Sequence, residues 1–281
     1  QVTQIEFAGD TATGVSYVQD GSSYTVDATE EVILSAGAVD TVKLLLLSGV
    51  GPADELAEHD IEVKNDLPGV GKNLQDHLVA SASYELEADP EIEDGEVLCQ
   101  VTGFERIDPD LPRPDMQYFL ARVYFMRHGF DNPEEGNGMT PSAVLLHPES
   151  TGEITLASDD PFEAPVIDPN FLAEEEDLDT LVEGLKRARD IGHASALDAY
   201  RGEEVWPEGD VESDEDLREH IRETAQTNYH PVGTAKMGDD EMAVVDDELR
   251  VHGLNDLRVV DASIMPEITS GNTNAPTIAI A

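Results

Sequence analysis

A chain of 281 residues, 40% of them hydrophobic, has length for one large domain or two modest ones and can bury a real core, which excludes wholesale disorder. Its 61 Asp and Glu against 16 Lys and Arg give a formal net charge of −45, and a field of that sign opposes every phosphate contact, so a nucleic-acid partner is excluded. Cys99 is the single cysteine, which rules out an internal disulfide and a multi-cysteine metal site and suits a reducing, cytoplasmic interior; no apolar run reaches the roughly 18 residues of a membrane span, and no signal-peptide pattern opens the chain.

In chain order, short β segments over 2–7, 14–19 and 24–28, separated by Gly9-Asp10 and Asp20-Gly21, predict a small meander. The next strand, 31–35, runs into Ala36-Gly37 and a helix over 39–47, which Ser48-Gly49-Val50-Gly51-Pro52 stops. A strand, a glycine and a helix in succession is a generic nucleotide-edge geometry and a weak sign when alone. A short helix (53–59) and a strand (61–63) lead to Leu67-Pro68-Gly69-Val70-Gly71-Lys72-Asn73-Leu74-Gln75-Asp76-His77. The glycines there permit a tight backbone approach, and Lys72 makes the stretch either an anion-binding loop or a plain glycine turn.

From 78 to about 157 the texture is β-rich, with segments at 78–86, 97–104, 116–123, 142–147 and 153–157 and long polar loops over 87–96 and 129–140. That pattern predicts an antiparallel sheet in a second domain. Tyr118, Phe119, Tyr124, Phe125, Met126 and Phe130 are candidate pocket lining, with core packing the alternative for most of them. Leu178, Leu181, Val182, Leu185, Ala188 and Ile191 then recur at helix spacing within 177–195. A second helix is expected over 213–225, with Ser213 as N-cap and Asp216 in a capping-box position. Acidic runs such as Glu174-Glu175-Glu176-Asp177 are spread through the chain, which predicts a solvated acidic surface and, because concentrated salt screens its self-repulsion, a halophilic source; a surface shaped for a cationic partner is the other reading.

Near the C-terminus, His230 is a general acid/base candidate, because imidazole titrates near neutrality, and Pro231 biases it away from helical geometry. A loop histidine with no chemistry fits the same residues. Leu257-Arg258-Val259-Val260 has the look of a buried strand, with Asp261 where that strand meets its loop, the edge at which open α/β sheets collect ligands. After Gly271, Asn272, Thr273 and Asn274 lie ahead of a helix expected over 277–281, with Pro276 near its first turn. Helix N-termini offer N–H groups to electron-rich atoms, although Asn/Gly/Thr clusters are commonly only turns. No Gly-x-Ser-x-Gly elbow is present, so a serine hydrolase is set aside.

His230-Pro231-Val232-Gly233-Thr234, then Val260-Asp261-Ala262-Ser263-Ile264-Met265-Pro266, then Gly271-Asn272-Thr273-Asn274-Ala275-Pro276-Thr277 resemble, in that order, the C-terminal signature of the glucose-methanol-choline (GMC) flavoprotein oxidoreductases. Ile33-Leu34-Ser35-Ala36-Gly37-Ala38 with Leu45-Leu46-Leu47-Ser48-Gly49-Val50-Gly51-Pro52 resembles the family's second signature, with Val42 where proline is usual, a departure expected to cost local rigidity. Gly71 to His77 resembles the family's Gly-x-Asn-Leu-x-Asp-His segment beside the flavin, and 152–197 the start of its C-terminal domain.

The resemblance implies FAD as cofactor and a fold of the α/β plus α+β class: part of a Rossmann-like FAD-binding domain with an antiparallel-sheet-and-helix substrate domain. It divides the chain into 1–79 (FAD-binding), 80–226 (substrate-binding) and 227–281 (a return to the FAD-binding domain carrying the catalytic residues). The Gly-x-Gly-x-x-Gly loop of the family's N-terminal βαβ unit is not found, so that unit is expected to be absent. The chain is then expected to be roughly the C-terminal half of a GMC protein, cut at Gln1 and Ala281, with a missing N-terminal FAD-binding segment as the partner its activity needs.

The implied chemistry is oxidation of an alcohol, choline or another primary alcohol, to the aldehyde by hydride transfer to flavin N5, with His230 taking the hydroxyl proton. Asn272 falls at the family's second catalytic position and holds the alkoxide; asparagine there is more similar to the choline dehydrogenase/oxidase side of the family. Ala36, Gly37, Asn73, Asp261, Ala262, Thr273 and Asn274 match positions that line the flavin. No metal is implied, the electron acceptor is unknown, and His77 receives no chemistry. A hydroxynitrile-lyase-like member with a structural flavin and a non-catalytic fragment or subunit are the rival readings.

Overall fold

Alternating side chains and two tight turns make the first 27 residues a hairpin sheet: Val2–Ala8, Thr11–Gln19 and Ser22–Asp27 pair antiparallel in sequence order, with Ile5 and Ala12 turned into the core. In this computed structural model, residues 1–87, 99–125, 129 and 137–281 are described. They divide into two compact units, the first made of Gln1–Asp76, Thr151–Phe171 and His230–Ala281, the second of His77–Ser150 and Leu172–Tyr229. Residues 151–171 thus lie with the first unit, a return that the boundaries 1–79, 80–226 and 227–281 do not contain.

In the first unit the strand Val32–Leu34 feeds the helix Gly37–Leu47 and pairs in parallel with Leu257–Val259. The helix buries Val42, Leu45 and Leu46 completely or nearly so, against Val32, Leu34, Leu257 and Val259 in one apolar cluster. Val42 sits in the second turn, where it fills core space, so the valine carries none of the first-turn rigidity cost expected of it.

This arrangement corrects the expectation that the N-terminal βαβ unit is absent. A strand, a helix and a parallel strand, set beside the meander, form a Rossmann-like element that begins in the N-terminal residues. A search for three glycines does not find it, because the turn from strand to helix is Ser35-Ala36-Gly37, with one glycine supplying the left-handed backbone (φ +85°).

The stretch read as an anion loop or a glycine turn is tied down by bonds within its own unit. Lys72 lies 2.5 Å from both Glu55 and Glu153, so its cation is spent on carboxylates of its own unit. Leu74 and Gly152 exchange backbone hydrogen bonds, which seats 151–171 against it, and Glu153–Thr155 continues as a hairpin with Val166–Asp168.

The second unit is a seven-stranded sheet with only antiparallel pairs among the described residues. Arg201–Trp206, Ser83–Leu86, Asn137–Leu145, Met116–Ala121 and Cys99–Glu105 lie in that order, with Leu78–Ser81 and Gln226–Thr227 added beside Asn137–Leu145. The segment expected over 78–86 is two strands, broken at Ala82. The helix Glu175–Gly192 lays Leu178, Leu181, Leu185 and Ala188 on one face of the sheet, where Met116, Tyr118 and Ala143 meet Ala188. Tyr118 is therefore core. Phe119 and Phe125 pack edge to face, ring centroids 6.0 Å apart, with Val79 and Val144. Met126, Phe130, residues 88–96 of the first polar loop and most of the second lie outside the described residues.

Asp177, buried at 2% exposure, accepts the backbone N–H groups of Glu149 and Ser150 and so fixes the helix start to the end of the sheet. Ser213 and Asp216 form the expected reciprocal cap of the helix Asp214–Thr224. Among the described residues, no helix is long and apolar enough to cross a membrane.

Two expected outcomes follow from this packing. Gly233 has a left-handed backbone (φ +90°), and an added Cβ would lie 2.4 Å from the carbonyl oxygen of Asn73. Gly233→Ala is expected to destabilise the first unit by about 1–3 kcal/mol, through strain and overpacking, measurable as a lowered denaturant midpoint. His220 stacks edge-on against Trp206, and burial first, with the Arg189 charge second, pushes its pKa down to about 4. The unfolded chain therefore binds more protons between the ordinary histidine range and about pH 4, so stability is present above that window and is lost as pH falls through it. His220→Gln should flatten this part of the melting-temperature profile; an unchanged slope would remove His220 as its cause.

Candidate active site

The join between Val32–Leu34 and the helix Gly37–Leu47 is pinned by a buried carboxylate. Asp261 is 5% exposed and accepts four hydrogen bonds: from the Gly37 N–H (2.9 Å) and Thr41 Oγ1 (2.6 Å) on Oδ2, and from the Ser263 N–H (2.9 Å) and Oγ (2.5 Å) on Oδ1. Thr41 Oγ1 in turn accepts the Ala36 N–H at 3.0 Å. With both lone-pair sets taken, the Asp261 side chain has no acceptor left for a ligand. The helix itself has no side-chain cap at Ala36. Ser35 and Ala36 are exposed, and a Cβ added at Gly37 meets nothing within 4 Å. The helix N-terminus therefore opens on free space.

A second group assembles around 73–76. Asn73, also left-handed (φ +61°), donates its amide to the carbonyls of Gly233 (3.2 Å) and Pro266 (3.3 Å). Gln75 exchanges backbone bonds with Val232, and the carboxylate of Asp76 accepts the backbone N–H of His230 at 2.8 Å. His230 is thereby held at the entrance of the 230–235 segment.

The imidazole Nε2 of His230 lies 3.4 Å from the amide nitrogen of Asn272. An amide N–H can only donate, so a hydrogen bond across this contact uses an unprotonated Nε2 as its acceptor. Burial pushes the His230 pKa below the ordinary histidine range, which favours the neutral ring. A neutral imidazole and a carboxamide side by side can take a proton from a hydroxyl and donate to the oxygen left behind.

One segment connects the two groups. The Gly233 N–H reaches the Ala262 carbonyl (3.3 Å), Thr234 Oγ1 donates to the Ala38 carbonyl (2.6 Å), and the Ala235 N–H donates to the Ser263 carbonyl (2.9 Å). The structure thus brings Ala36, Gly37, Asp261 and Ala262 together at the join, and Asn73, His230 and Asn272 around 73–76. Thr273 is buried and precedes the short helix Asn274–Ile280, whose first residue, Asn274, is exposed. Sequence reasoning passed over Gln75, Asp76 and Thr234. The signal was modest: polar residues set between apolar ones in stretches already singled out.

Residues 1–79 match the N-terminal model of the GMC oxidoreductases, and residues 148–281 the C-terminal model. The chain is 41% identical to an alcohol dehydrogenase [acceptor] of Pseudomonas putida, over 99% of this chain and 55% of that protein. It is 40% identical to a choline oxidase of Arthrobacter globiformis, over 93% of this chain and 49% of that protein. Among solved structures it is similar to pyridoxine 4-oxidase from "Mesorbium loti" (TM-score 0.92, 30% identity, 100% of this chain and 55% of that one). A formate oxidase from Aspergillus oryzae gives TM-score 0.93 at 28% identity, over 99% of this chain and 58% of that one.

The chain spans about half the length of the curated relatives it matches. The match of residues 1–79 nevertheless corrects the expectation of a C-terminal half alone. The N-terminal FAD-binding segment expected as a missing partner is represented by those residues, and an activity that waits on its arrival has no support. FAD is the cofactor of the family so matched. With models for both of its domains matched along most of the sequence, the chain belongs to the GMC oxidoreductase family.

Proposed function

We propose that this chain serves FAD-dependent oxidation of an alcohol to its aldehyde, with His230 as the acid/base and Asn272 as its partner. The observation that carries the proposal is the 3.4 Å approach of the Asn272 amide to a histidine whose neutral form burial favours. The chemistry supplied by bound FAD is acceptance of a hydride, at flavin N5, from the alcohol carbon.

His230 Nε2 takes the hydroxyl proton, and the lowered pKa keeps the ring in the form that can do so. The Asn272 amide donates to the oxygen as negative charge grows on it. Ala36 and Gly37, whose own N–H groups are bonded to Thr41 and Asp261, would border the cofactor by offering it the open space at the start of the helix. Asn73, Asp261 and Ala262 would contribute mainly through their backbone, since the two polar side chains are bonded within the protein. Thr273 and Asn274 would complete the holding set. The names of the relatives, alcohol dehydrogenase and choline oxidase, together with asparagine at 272, favour choline or another primary alcohol as substrate.

The formal charge of −45 belongs to the same proposal, as an adaptation of the surface to concentrated salt. Melting temperature is expected to rise steadily from dilute buffer to molar potassium chloride. A flat or falling curve would instead favour a surface shaped for a cationic partner.

In the flavin-loaded protein, His230→Ala is expected to slow anaerobic flavin bleaching by choline or a primary alcohol by at least about 100-fold. Unchanged bleaching would remove His230 from the chemistry, and a flavin that never bleaches with any alcohol would point to a lyase. The wild-type rate should hold level above the depressed His230 pKa and fall as pH drops through it, because only the neutral ring accepts a proton.

A further inference from the structure

We infer that Gln75 and Asp76 are positioning residues that together set the separation of the His230 imidazole and the Asn272 amide, resting for its kinetic consequence on the reading of that pair given above. Both are polar and only 7% exposed. Polar groups buried to that degree persist when their hydrogen bonds are made, and the bonds made here fix their position.

Gln75 uses both ends of its carboxamide. Nε2 donates to Asn73 Oδ1 (3.0 Å) and to the Pro266 carbonyl (3.2 Å), while Oε1 accepts the Ile268 N–H (3.1 Å). Its main chain exchanges both hydrogen bonds with Val232, at 3.1 and 2.9 Å. One residue thus ties the segment that carries His230, two positions before Val232, to the segment that runs from Ile268 into Asn272, four positions on. Asp76 adds the bond from its Oδ1 to the His230 N–H.

Adhesion between these segments comes from apolar packing: Val232, Met265 and Ile268 are buried at 0, 4 and 2% exposure and form one cluster. Such contacts are non-directional and tolerate a sideways shift. The hydrogen bonds of Gln75 and Asp76 are directional, so they select one register from those the apolar cluster permits. The His230–Asn272 contact, at 3.4 Å, is already near the limit of a hydrogen bond, so a slip of about 1 Å abolishes it.

The test reads geometry and rate separately, in the flavin-loaded full chain in high salt. The imidazole Cε1–H resonance of His230, assigned by its loss in His230→Ala, is followed with and without Asn272→Ala. In wild type and in Asp76→Asn, whose amide oxygen still accepts the His230 N–H, Asn272→Ala should move the resonance. In Asp76→Ala and Gln75→Glu, where the ring and the amide have parted, it should not.

Flavin reduction should fall about 10-fold or more in Asp76→Ala and Gln75→Glu, with KM within about threefold, and recover to within about threefold in Asp76→Asn. Coupling and rate both retained in Asp76→Ala and Gln75→Glu would overturn the inference. Coupling lost while neither these variants nor His230→Ala slow reduction would leave the positioning role standing and sink the catalytic reading of the pair. Should Asp76→Ala not melt cooperatively, Gln75→Glu, which still accepts the Ile268 N–H but cannot donate to Asn73 or Pro266, decides the same question.

Discussion

The carboxylate of Asp261 is the constraint on which the first unit is registered. A buried carboxylate is costly unless its oxygens are satisfied, and here four donors satisfy them. Two of those donors, the Gly37 N–H and the Thr41 hydroxyl, belong to the helix that starts more than two hundred positions earlier in the chain. The parallel pair that this joins is only three residues long on each side, and Ile33 in its middle is 54% exposed. So short a ladder supplies little cohesion of its own. The network around Asp261 holds the strand end against the helix start and leaves the Gly37 turn facing open space.

From that anchor the 230–235 segment carries order outward. Its first residues bond to the 73–76 stretch, through the His230 N–H and Val232, and its last three to the join, through Ala262, Ala38 and Ser263. His230 is therefore placed by its main chain before its side chain meets anything. That suits the proton-transferring role proposed for it, because an imidazole fixed by its backbone can change protonation state without loosening its own attachment. Asn272, by contrast, is exposed, and the chain that leads to it is tied to Gln75 at Pro266 and Ile268.

Much of this was legible in the sequence. Period-2 and period-3.6 patterns located the meander, the helix Gly37–Leu47 and the helix Glu175–Gly192 to within a few residues, and the Ser213–Asp216 cap could be read from spacing alone. Motif order gave His230 and Asn272, which the fold brings within reach of each other across 42 positions. What was not legible is long-range partnering. Lys72 looked like a free cation until Glu55 and Glu153 were seen to enclose it. Asn73 and Asp261 looked like ligand contacts by motif, and their side chains turned out to be bonded within the protein. The N-terminal βαβ element was missed because its turn uses one left-handed glycine where three were sought. In each case the deciding fact is which distant residue supplies the other half of a hydrogen bond, and local patterns hold no record of that.

The charge of the chain and the state of its candidate base pull in opposite directions. A net −45 creates a field that favours imidazolium, yet the pKa of His230 lies below the ordinary range because burial removes the water that would stabilise the cation. Desolvation acts on the ring itself, whereas solvent screens charges at a distance. In molar salt the screening length contracts to about 3 Å, close to a single hydrogen-bond distance. Under those conditions the distant charges drop out, and burial of the ring, which lowers its pKa, remains. An acidic composition and the neutral base proposed at His230 are therefore compatible in one molecule: salt confines the influence of distant charges.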